Sequence, residues 1–87
     1  MRYQVTTTLT PREALEQALA DFGPDGLGLQ ITSQNNLDLV FQGGGGQIAV
    51  TAQPGVETTL ALETREWDYA VEEFRALVHR RRPWWPR

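Results

Sequence analysis

Cysteine and lysine are both absent from this chain, and histidine, serine and methionine occur once each. Without cysteine there can be neither a disulfide framework nor a thiolate metal site, which fits a reducing compartment and predicts a cytoplasmic protein. The lone histidine, His79, and the lone serine, Ser33, leave nucleophilic triads and histidine metal centres without material. Long apolar runs are missing as well. No segment approaches the roughly 20 apolar residues that cross a bilayer, and residues 1–20 hold no apolar stretch behind a basic one. Neither a transmembrane helix nor a signal peptide is expected.

What is present has the composition of an ordinary folded domain. Of 87 residues, 40% are hydrophobic and 22% charged, enough apolar area for one small core in a chain too short for two. The net charge of −3 is unevenly placed: residues 1–78 hold four Arg and eleven acids, a charge of −7, whereas residues 79–87 hold four Arg and no acid, +4. This asymmetry predicts an acidic body with a basic terminal arm. A single domain over residues 1–82 is expected, followed by a tail over residues 83–87.

Residues 2–9, RYQVTTTL, alternate Tyr3, Val5, Thr7 and Leu9 with Arg2, Gln4, Thr6 and Thr8, the period of a half-buried strand. In the following TPRE, Thr10 can cap a helix, Pro11 suits its first position and Glu13 can reach back to the cap amide. A helix therefore starts at Pro11. Its apolar face is Ala14, Leu15, Ala18, Leu19 and Phe22, and Gly23-Pro24 should end it with Gly23 left-handed.

Four strand-like runs follow, each with apolar residues at alternate places: Leu27, Leu29 and Ile31; Leu37, Leu39 and Phe41; Ile48, Val50 and Ala52; then Val56, Leu60 and Leu62. The short connectors Gln34-Asn35-Asn36, Gly43 to Gly46 and Gln53-Pro54-Gly55 make these a meander of hairpins. A last helix is predicted from just after Thr64 to about residue 82, where Pro83 stops it. Glu66 and Asp68 would occupy its first turn, and Trp67, Ala70, Val71, Phe74, Leu77 and Val78 its apolar stripe.

The order β-α-β-β-β-β-α predicts an α+β two-layer sandwich, a five-stranded antiparallel sheet covered on one face by two amphipathic helices. Over residues 2–80 this order resembles the TATA-binding-protein-like and small helix-grip folds, in which a long terminal helix lies across a curved sheet. The resemblance implies two places to look for function: the outer sheet face, and a gap between the sheet and the last helix. For duplex nucleic acid the outer face has the wrong sign, because Arg2 stands there against Asp38, Glu57 and Glu63. A Thr- and Gln-rich surface with Val40, Ala49 and Ala61 in its middle suits water, or a second copy of the chain, better.

Catalytic constellations are lacking. The glycines at 43–46 are followed by QIAVTAQ, a strand, where a phosphate loop needs a helix N-terminus and commonly a lysine. Glu57 and Glu63 would lie roughly 20 Å apart along a strand, and Glu72 and Glu73 point apart on a helix, so these carboxylates read as solvated charges. His79 reads as a surface residue at a helix end. No catalytic, cofactor-binding or metal site is expected, and the chain is not expected to be an enzyme.

The C-terminal HRRRPWWPR differs from everything before it, and Arg80, Arg81, Arg82, Trp84, Trp85 and Arg87 are the candidate contact residues. Residues 80–87 resemble short Trp- and Arg-rich host-defence peptides, which implies contact with an anionic membrane surface or another acidic partner. The residues alone leave three further roles open. The indole rings could fold back onto the sheet or the last helix, the arginines could strap to acids of the body or of a second copy, or the tail could stack on single-stranded nucleic acid. The function expected is that of a small non-catalytic binding or interaction module, with the tail as a packing or contact element. The alternative is a helix-grip-type domain holding a small apolar ligand between sheet and last helix, where Ala14, Ala18, Ala52 and Ala70 are small enough to leave room.

Overall fold

The computed structural model describes residues 1–80, the Arg80 side chain excepted. Its elements come in the predicted order: β1 (Arg2–Thr7), α1 (Pro11–Phe22), β2 (Gln30–Gln34), β3 (Asp38–Gly43), β4 (Gly46–Gln53), β5 (Thr58–Arg65) and α2 (Asp68–Arg80). All five strands form one antiparallel sheet in the order β1-β5-β4-β3-β2. The first two strands are thus opposite edges, and α1 has to cross the sheet between them. It lies against β3 and β4, and α2 lies against β1 and β5. The α+β two-layer architecture is the one the sequence predicts.

Local chemistry sets α1. The Thr10 hydroxyl accepts from the Glu13 amide at 3.1 Å while the Glu13 carboxylate accepts from the Thr10 amide at 2.9 Å, a reciprocal capping box ahead of Pro11. The end of the helix departs from expectation. Gly23 is extended, with φ −73° and ψ −166°, and not left-handed. Pro24 explains this, since a residue preceding proline is driven out of helical space. A glycine is still needed there, because a Cβ would sit 2.5 Å from the Leu19 carbonyl oxygen.

The chain then folds back on the helix end, with the Leu27 and Leu29 amides donating to the Asp21 and Phe22 carbonyls. This is why Leu27 is an exposed turn residue and not the start of a strand, although Leu29 is buried as expected. Leu37 likewise stands just outside β3, largely exposed.

Three further expectations shift. Of the four glycines, Gly43 and Gly46 pair across the β3-β4 ladder and only Gly44 and Gly45 form the turn. Their φ values of 60° and 80° match the two positive angles of a type I′ hairpin. Val56 lies before β5 and is fully exposed (108%), so the inward row of β5 is Thr58, Leu60, Leu62 and Thr64. Finally, Thr64 caps no helix. It is a buried strand residue whose hydroxyl donates to the Gln47 carbonyl at 2.9 Å, β5 continues to Arg65, and α2 begins only at Asp68. Glu66, expected in the first helical turn, takes φ 76° at the bend between them.

The core joins both helices to the sheet. Phe22 of α1 meets Phe41 of β3 edge-on, with ring centroids 5.7 Å apart, and Phe74 of α2 at 5.0 Å. Leu39, Ile48, Val50, Leu60, Leu62, Val71 and Val78 close around these rings. Phe22→Ala is expected to lower the unfolding free energy by about 3–5 kcal/mol through the cavity it leaves. Val56→Ala should change it by less than about 0.5 kcal/mol, despite its place in an apolar run. Chemical denaturation of the two variants checks both values.

Candidate functional site

Two surfaces stand out among the described residues, the junction of α2 with edge strand β1 and the sheet face that faces away from the helices. At the junction, alternation turns Tyr3, Val5 and Thr7 toward the helices. The Tyr3 hydroxyl donates to the Asp68 carboxylate at 2.7 Å, and the Arg75 guanidinium lies 5.5 Å above the Tyr3 ring. At the other end, the buried Thr7 hydroxyl donates to the Val78 carbonyl at 2.7 Å and accepts from the Leu9 amide at 3.2 Å. A third tie comes from Trp67, placed just ahead of α2 rather than within it. Its indole N–H donates to the Gly43 carbonyl at 3.0 Å, and the ring lies so close to Gly44 that a Cβ there would be 2.7 Å from it.

These ties fix α2 along β1 and leave an open groove of about 740 Å³ on its outer flank, lined by Gln4, Val5, Thr6, Glu72, Arg75, Ala76 and His79. His79 is exposed, as expected, but its ring reaches the strand: Nδ1 lies 3.3 Å from the Thr6 carbonyl oxygen. The gap predicted beneath α2 has a different character. Ala14, Ala18 and Ala52 are buried in the core beside Val71, Phe74 and Val78, so the small side chains bring the layers close. Ala70 lines a shallow cleft between α2 and the end of α1, together with Ala20, Leu27, Glu73 and Leu77.

Among the described residues no helix covers the other sheet face. Its centre is Ala49, Thr51 and Ala61, with Val40 beside them, as the alternation predicts. The charge there differs from expectation. Glu57 belongs to the turn before β5, while Arg65 alternates with Glu63 onto this face, so Arg2 and Arg65 balance Asp38 and Glu63. Arg2 pairs with Glu63 at 2.9 Å between exposed side chains, and the Thr51 hydroxyl donates to Asp38 at 2.8 Å. Two arginines matched by two acids still offer duplex phosphates no net attraction.

Glu72 and Glu73 are exposed on α2, and no group of three or more His, Asp or Glu side chains placed to hold a metal ion occurs among the described residues. Of the tail positions, Arg80 ends the α2 backbone, and Arg81, Arg82, Trp84, Trp85 and Arg87 lie outside the described residues. Among the described residues no helix is long and apolar enough to cross a membrane.

The fold and its surfaces define a small α+β sandwich with an open sheet face and a groove along one edge. No protein-family model matches the chain, and no curated protein matches it significantly.

The hydrogen bond to Asp68, with partial burial and the negative charges of Asp68 and Glu72 adding to it against Arg75, pushes the Tyr3 pKa from 10.0 up to about 12. Glu73 raises Tyr69 in the same way, through a hydrogen bond to its carboxylate. Because the folded-state value of Tyr3 lies above its ordinary one, the Tyr3-Asp68 tie contributes fully below pH 10.0 and is lost as pH rises through about 12. Alkaline ultraviolet titration should show this late tyrosine, and in Asp68→Asn it should ionise closer to 10.0.

Proposed function

We propose that the chain is a small non-catalytic interaction module of the cytoplasm, whose Arg/Trp-rich C-terminal segment contacts an acidic surface while the sandwich serves as its mount. The observation that carries this is the division of charge, −7 over residues 1–78 against +4 over residues 79–87. Four arginines and two tryptophans in the last eight residues combine attraction to anions with rings suited to an interface. The mount is well defined. α2 is held to β1 at Tyr3 and Thr7, so its end at Arg80 is fixed beside the β1 edge. The balanced outer sheet face, with small side chains at its centre, is a second contact area. The cytoplasmic assignment rests on the lack of cysteine.

Tryptophan emission of the full chain and of a chain ending at Arg80 tests the reading. Trp67 is half-buried with its indole N–H bonded, so it reports the body, and the difference between the two proteins isolates Trp84 and Trp85. The expected difference spectrum is that of water-exposed indole, moving to the blue with anionic vesicles but not with neutral ones. A difference spectrum already blue without additives, in a chain that unfolds more easily once shortened, makes the segment part of the core and ends the contact role. A shift produced only by single-stranded DNA replaces the acidic surface with nucleic acid.

A further inference from the structure

The two edges of the sheet are built differently. β2 has five residues, four of them exposed, and its pairing with β3 slips between Ile31 and Ser33, features that blunt an edge against further pairing. β1 keeps six residues in unbroken register with β5, without proline or bulge. Ahead of it, Met1 exchanges both backbone bonds with Thr64, at 2.6 and 2.9 Å. Alternation along an antiparallel ladder then turns the backbone groups of Tyr3, Val5 and Thr7 toward β5, and those of Arg2, Gln4 and Thr6 away from the sheet. His79 beside the Thr6 carbonyl marks the same outward side. Tyr3 and Val5 stay half-exposed although their side chains face the helices, because among the described residues no strand lies beyond β1.

We infer that this edge pairs with the same edge of a second copy, giving a two-fold dimer with one sheet running through both. Self-complementarity on each layer carries the assignment, since in a two-fold interface every residue must suit its symmetry-related neighbours. Antiparallel pairing centred on Gln4 sets Arg2 against Thr6 of the second copy and uses the backbone groups that point outward. On the helix side it sets Tyr3 against Val5 of the second copy, an aromatic and β-branched cross-strand pair.

The helices match as well. α2 runs in the direction of β1, Asp68 standing at Tyr3 and His79 at Thr6, so the two-fold makes the α2 helices antiparallel. The stretch of α2 from Glu72 to His79 flanks Gln4 and Thr6 along the groove beside β1. The two-fold brings this stretch against its own copy, so that the acid Glu72 faces a surface bearing the bases Arg75 and His79, and the relation occurs twice. The groove beside β1, lined by Gln4, Glu72, Arg75 and His79 among others, is the space the second copy enters.

Sedimentation equilibrium of the full chain from micromolar to millimolar concentration tests this. The mass is expected to rise reversibly from one chain to two. Gln4→Pro removes an outward N–H that the chain's own sheet does not use, and so both central bonds of the pairing. The dimer should weaken about thirtyfold with the circular dichroism unchanged. Glu72→Arg, at an exposed helix position, should weaken it too, because it leaves the charged side chains of the groove wholly basic. A chain that stays monomeric throughout overturns the inference. So does a dimer that Gln4→Pro and Glu72→Arg leave equally tight, which would put the contact on the open sheet face or the tail.

Discussion

A five-stranded sheet with one apolar face must have that face covered, and among the described residues two helices do so. Phe22, Phe41 and Phe74 are where this constraint is met, because their contact ties α1, the sheet and α2 into one body. α1 comes from the edge strand β1 and leads to the opposite edge strand β2, so it takes the middle of the sheet, over β3 and β4. The strip over β1 and β5 is left to α2. The Tyr3, Thr7 and Trp67 hydrogen bonds hold it there at both ends.

That division of the sheet between two helices decides what is exposed. Among the described residues one face has no helix over it, and its small-residue centre of Ala49, Thr51 and Ala61 has balanced charge at its margins. The β2 edge is blunted by its register slip, whereas the β1 edge is straight and bordered by the mixed acid and base side chains of α2. The same placement delivers the end of α2 to the β1 side of the body.

Features written in local chemistry were legible from the residues alone. The capping box of Thr10 and Glu13 and the alternation of β1 and β4 stand in the structure as read, and with them the element order and the sheet. The departures come from distant partners. Thr64 looks like a helix cap in isolation, but the Gln47 carbonyl seventeen residues away claims its hydroxyl and keeps the strand going. Val56 fits an apolar alternation, yet no ladder partner reaches it. Gly23 has the composition of a left-handed stop, and Pro24 overrides it. The candidate site was legible only as a list of residue types. The bonds from Tyr3 to Asp68 and from Thr7 to Val78 join residues 65 and 71 apart in sequence, and no periodicity announces them.

Whether β1 is an open edge whose outward groups await a partner is best tested by amide hydrogen exchange, residue by residue, at low and high protein concentration. The account predicts that Tyr3 and Val5 are protected at both, whereas Gln4 and Thr6 exchange quickly when dilute and slow as the concentration rises. Equal protection of Gln4 and Val5 in dilute protein, or exchange at Gln4 that ignores concentration, would contradict it.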